Sequence, residues 1–170
     1  GYWANFLFDA AHDLRKNLFD SGKFLECSGY FWAFRNGVID DLPLDVAEDT
    51  VMPYFFYEKG YQIEYEENAK VYVKNVDNWE DWLKQKIRTS KAHETLGKYV
   101  DLNTAEKTKS FSNESKGLKY LFTYPNSLAE FYWTLKLIGA RLNMWIRVFY
   151  DTKIADKQYG DAWERIDSTK

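Results

Sequence analysis

The chain opens on a three- and four-residue rhythm. Trp3, Phe6, Leu7, Ala10, Leu14 and Leu18 recur at helical spacing, which predicts a helix over 2–19 that stops at Ser21-Gly22. Asp9, His12, Asp13, Arg15 and Lys16 fall mostly on the other side. His12 beside Asp9 and Asp13 has the composition of a ligand trio, although a solvated helix face accounts for it more simply. The rhythm then changes. Residues 24–35 are dense in aromatics and read as a strand, with Gly29 as a point of close backbone approach and Asn36-Gly37 as a turn. A second helix is predicted from about Thr50 to Lys59, stopping at Gly60. Pro53 is tolerated only in a first helical turn, which puts Glu48-Asp49 at or just before the N-terminus. The helix dipole and open N–H groups there favour an anion.

Alternation returns in Gln62-Ile63-Glu64-Tyr65 and Lys70-Val71-Tyr72-Val73-Lys74, which read as two strands joined by a turn at 66–69. Asn78 is placed to cap a third helix, with Trp79, Trp82, Leu83 and Ile87 as its apolar stripe. Gln85 and Arg88 share a different face of it. Residues 101–117 are dominated by Asn, Thr, Lys, Ser and Glu and read as a solvated connector or a lid. Residues 128–150 form a long helical pattern with two apolar faces. Phe131, Leu135, Ile138, Leu142, Trp145, Ile146 and Phe149 make one. Trp133, Leu137, Ala140, Met144 and Val148 make the other. Such a pattern fits a helix packed on the protein through one face and on a partner or membrane surface through the second. A fully buried helix gives the same pattern. With Lys136, Arg141 and Arg147 inside it, this is a poor spanning segment, since one needs about 20 residues with few charges. The polar tail has Trp163 and Ile166 as its anchors.

Composition narrows the classes. The 170 residues suffice for one core. The net charge of −3 gives no basic excess for nucleic acid. A single cysteine, Cys27, rules out an internal disulfide and the common zinc sites and fits a reducing compartment. With two histidines a histidine-built metal centre is not expected. No secretory signal pattern opens the chain. Aromatic residues make up 19%, and these either fill a core or line a sugar-binding or interfacial surface.

Three stretches then stand in order: Cys27-Ser28-Gly29-Tyr30-Phe31-Trp32-Ala33-Phe34-Arg35, Ala47-Glu48-Asp49-Thr50, and Gln85-Lys86-Ile87-Arg88-Thr89. Together they resemble the second half of the inverting family 2 glycosyltransferases, the group of the hyaluronan and cellulose synthases. There an SG-rich stretch ending in Arg precedes an E-D pair, and a Q-x-x-R-W element follows on a helix. The likeness covers roughly residues 1–100, with Thr89 where Trp is usual.

The resemblance implies an α/β fold (α+β in this piece), the C-terminal portion of a GT-A-like domain with a few mixed strands. Residues 1–100 would be its acceptor and catalytic-base half, 101–117 a polar loop or lid, and 118–170 an amphipathic helical region. It implies transfer of a sugar from a nucleotide-sugar donor to a saccharide or lipid-linked acceptor, at the cytoplasmic face of a membrane. Asp49 would be the general base, and Glu48, Arg35, Gln85 and Arg88 would contact acceptor or donor. Lys107 and Lys109 would close over the nucleotide. The family's divalent metal, Mg or Mn, sits on a D-x-D motif, and no Asp-x-Asp occurs in this chain. A donor-binding half is therefore expected to precede Gly1. Thr89 in place of Trp points to addition of one or few sugars.

From the residues alone, Asp49 reads first as a helix cap, and the resemblance is what favours the catalytic role. At the cap position its pKa is drawn down by the helix terminus and up by burial and by Glu48. A non-catalytic module docking on a membrane surface or partner through 128–150 is the alternative function. A glycosidase fits poorly, because adjacent carboxylates cannot straddle a glycosidic bond.

Overall fold

The computed structural model describes residues 1–94, 96–101 and 120–155. Its elements are helices: α1 (Tyr2–Asp20), α2 (Glu48–Glu58), α3 (Trp79–Glu94), a 3₁₀ turn (Leu96–Lys98), a single turn α4 (Tyr120–Thr123), and α5 (Leu128–Phe149), which runs on into a π turn (Tyr150–Ile154). No strand occurs among the described residues. The expected α/β fold with mixed strands is thus overturned.

The stretches expected to be strands, 24–35, 62–65 and 70–74, run as irregular chain broken by turns. Their β-favouring side chains supply only half of what a strand requires, because a ladder also needs a second backbone in register. The chain at 65–67 instead docks on α1. The Tyr65 hydroxyl meets His12 Nδ1 at 2.7 Å, and Lys16 pairs with Glu67 at 3.4 Å. His12 is therefore a docking point for that segment and not part of a trio with Asp9 and Asp13. The turn at 66–69 is present, with Ala69 N–H donating to the Glu66 carbonyl.

Helix ends follow their residues. After α2, Gly60 takes φ +84, its N–H donates to the Tyr57 carbonyl, and Tyr61 N–H donates to Phe56. The rings of Phe56 and Tyr61 meet at 5.4 Å. This is a Schellman closure with its apolar clasp, and α1 ends the same way at Gly22. Asn78 caps α3, its Oδ1 accepting from Asp81 N–H at 2.9 Å. Ser127 caps α5 through Glu130 N–H, while the Glu130 carboxylate reaches back to Asn126 N–H at 2.7 Å.

The main core is the junction of α1, α3 and α5. Phe6, Trp82, Leu83, Leu137, Ala140, Met144 and Val148 fill it. Polar stitches hold α1 on α5. Thr134 donates to the Glu130 carbonyl, so Tyr2 is the donor to Thr134 Oγ1 at 2.6 Å, and Trp3 Nε1 donates to the Trp133 carbonyl. A second cluster, Val46, Val51, Tyr54, Leu96 and Val100, seats α2 against the 3₁₀ turn. At its rim Asp45 bonds Lys98 at 3.2 Å and also Tyr99, whose hydroxyl holds the Asp45 carboxyl below its ordinary pKa.

Of the two apolar faces expected on α5, one turns inward: Leu137, Ala140, Met144 and Val148 are buried. Two residues depart from the expected split. Trp133 is largely exposed, and Trp145 packs against the core.

Candidate functional site

Asp49 sits in the first turn of α2, together with Glu48. The helix is capped by the backbone of Ala47, and no side chain bonds its open N–H groups. Asp49 is therefore not the capping residue that its position allowed. Six of the eleven α2 residues, Thr50 to Tyr54 and Phe56, are buried, which fixes the direction of this first turn. Glu48 is exposed and Asp49 half-buried.

The Asp49 carboxylate rests against the backbone of Gly29. A methyl group at residue 29 would overlap Oδ2 and stand 3.1 Å from Cγ. An alanine there would push the Asp49 side chain aside, since the close approach leaves no room for a Cβ while the carboxylate stays in place. Among the described residues no hydrogen-bond or ion-pair partner ties down the Asp49 carboxylate. Its charge acts on Cys27, two residues before Gly29. Burial pushes the Cys27 thiol up to about 11, Arg15 opposes the rise, and Asp49 and Glu26 add to it.

Next to Gly29, Tyr30 leans on Phe8 of α1, with ring centroids 5.7 Å apart. Partial burial raises its hydroxyl pKa, and the positive charge of Arg88 works against that rise. Arg88 is half-buried on α3, and Gln85, one turn earlier, is half-buried with it. The Gln85 carbonyl accepts from the Thr89 hydroxyl at 2.9 Å. Residues far apart in sequence thus meet: Cys27 to Tyr30 lie against the first turn of α2, and the charge of Arg88 on α3 reaches the Tyr30 hydroxyl.

Arg35 does not join them. It lies over the ring of Tyr61, 5.9 Å from the centroid, while its neighbour Phe34 packs on Phe56. Phe56 is in the last turn of α2, about 10 Å along the helix from Asp49 at 1.5 Å per residue, and Tyr61 folds back on it in the closing turn. The expected grouping of Arg35 with the acid is therefore corrected: the chain between 30 and 35 runs the length of α2. Lys107 and Lys109, and with them the expected lid, lie outside the described residues, as do Trp163 and Ile166.

The sequence singled out Gly29 without linking it to Asp49, and gave Tyr30, within the same stretch, no role. An exposed aromatic strip leads away from the acid. Tyr30, Phe31 and Phe34 are each about half or more exposed, and Trp32 stacks on Phe34 at 4.9 Å and 26°. Flat apolar faces with polar edges of this kind suit sugar rings.

Asp40 and Asp41 line a shallow hollow of about 300 Å³ with Phe55, Glu58 and Lys59, at the far end of α2. Among the described residues no three His, Cys, Asp or Glu side chains converge on a metal position. The divalent ion implied by the resemblance thus has no fitting ligand set in this part of the chain.

Comparison with protein-family models, with curated proteins and with solved structures finds no match for this chain.

Proposed function

We propose that this chain carries the acceptor side of an inverting glycosyltransferase, with Asp49 as the base. The observation that supports this most directly is the meeting of Asp49 with Gly29, beside Tyr30 and Arg88. Parts of the three stretches that suggested sugar transfer support it: Gly29 of the first touches Asp49 of the second, and Arg88 of the third acts on Tyr30.

In this reading an acceptor sugar lies on the aromatic strip and presents a hydroxyl to Asp49. The carboxylate takes the proton as the hydroxyl oxygen attacks the anomeric carbon of the donor. The bond from that carbon to the diphosphate breaks, and the nucleoside diphosphate leaves with the electron pair. A carboxylate held by backbone contact, with no competing hydrogen bond among the described residues, can accept that proton. The Arg88 guanidinium supplies positive charge for the developing anions, and its planar fork matches a phosphate. Glu48, exposed beside Asp49, and Gln85 fit contacts to acceptor or donor. Arg35 is too far along α2 to serve the same atoms. The donor is held by a part of the protein other than the described residues.

The test is Asp49→Asn in the longest natural form of the protein that contains this chain. Sugar transfer, followed with radiolabelled nucleotide sugars, should fall by about 10²–10⁴-fold, as expected for loss of a general base. Donor affinity by calorimetry should stay close to that of the parent. Near-parental turnover would remove Asp49 from this role.

A further inference from the structure

α5 leaves its second apolar face uncovered among the described residues. Leu128, Leu135, Leu142, Ile146 and Phe149, with Tyr150 of the π turn that follows, are between 47% and 90% exposed. At 1.5 Å per residue, 22 residues make a straight stripe about 33 Å long. No helix of the described residues is long and apolar enough to cross a membrane, and a stripe running the length of the helix calls for an occupant laid along it.

Charge indicates what that is. Between Leu128 and Tyr150 the only acidic residue is Glu130, and its carboxylate is turned back onto Asn126 N–H at the start of the helix. Lys136 and Arg147 are eleven residues apart, hence on the same side within about 20° at 3.6 residues per turn. They form a basic border along one edge of the stripe. Lys136 lies over the rings of Tyr132 and Trp133, 4.8 and 5.2 Å from their centroids. Polar-tipped rings beside a cation are the side chains that settle at a headgroup layer. The stripe itself offers hardly any hydrogen-bonding group, whereas protein interfaces carry about one hydrogen bond per 100–200 Å².

We propose that the outer face of α5 seats on an anionic lipid surface, with the helix axis in the plane of the bilayer and Lys136 and Arg147 on the headgroups. The protein's net charge of −3 supplies no general attraction to such lipids, so binding depends on this edge and face.

Vesicle co-sedimentation tests it, with phosphatidylcholine alone and with an equimolar mixture of phosphatidylcholine and phosphatidylglycerol. The parent chain should sediment with the mixed vesicles and weakly or not at all with neutral ones. Ile146→Glu places a charge on the stripe at an exposed position and should abolish sedimentation while circular dichroism stays unchanged. Lys136→Gln and Arg147→Gln should each weaken binding to the mixed vesicles by about fivefold, the effect of one basic residue near an anionic surface. Failure of the parent to bind mixed vesicles overturns the proposal, as does undiminished binding by Ile146→Glu. A parent dimer in sedimentation velocity that Ile146→Glu dissolves, without vesicle binding, would assign the face to a second copy of the chain.

Discussion

At Gly29 a hydrogen in place of a methyl group decides where the Asp49 carboxylate rests. Gly29→Ala should therefore displace the acid while leaving the fold in place, because residue 29 is exposed and its backbone needs no left-handed conformation. Sugar transfer should drop by about tenfold or more, since small misplacements of reacting groups are costly. The melting temperature should move by no more than a few degrees. Cys27 gives a second readout that does not need the reaction. With its thiol pushed up to about 11, only about one part in a thousand is thiolate at pH 8, so alkylation should be slow there and quicken as pH rises toward 11. Asp49 is one cause of that raised value. Asp49→Asn removes its negative charge, so the midpoint of the alkylation profile should shift to lower pH. An unmoved midpoint would mean that Asp49 does not face Cys27.

Among the elements, the helices were largely legible, because their signals lie within one or two turns. The apolar spacing of α1, Asn78 ahead of α3 and Gly60 behind α2 each act over a few residues. Gly60 provides a direct measure: at φ +84 an alanine is strained, and Gly60→Ala should cost about 1 kcal/mol in urea unfolding. The strands were not legible, although 24–35 and 70–74 have strand-like composition. A β-favouring residue stabilises a strand only against a neighbour, and no described segment pairs with these two. Tyr72 is instead 95% exposed. Arg35 failed for a related reason. Its spacing from Glu48-Asp49 along the chain carries no information on the path of an irregular segment, which here runs to the other end of α2.

For the molecule as a whole, α5 shows how one helix can present two apolar faces with different fates. Leu137 is 2% exposed and packs with Met144 and Trp82, whereas Leu135, two residues earlier, is 51% exposed. Leu137→Ala should cost about 2–5 kcal/mol by denaturant unfolding, the range for a buried leucine cut to alanine. Leu135→Ala should stay within about 0.5 kcal/mol, as surface substitutions do. Equal costs would show that both faces are covered in solution. The shared core of α1, α3 and α5 also ties the C-terminal helix to the elements that carry Phe8 and Arg88, so loosening it should disturb the site at a distance.

The sequence by itself determined α1, α2, α3 and α5, the Asn78 cap and the stops at Gly22 and Gly60, the acid in the first turn of α2, and the presence of two apolar faces on α5. These rest on local spacing and on backbone preferences that act within a turn. Tertiary structure alone decided which face of α5 is buried, that the strand-like stretches go unpaired, and that Asp49 meets Gly29 while Arg35 does not join them. Each depends on surfaces brought together from distant parts of the chain, and neither period nor propensity encodes which surface a residue will meet.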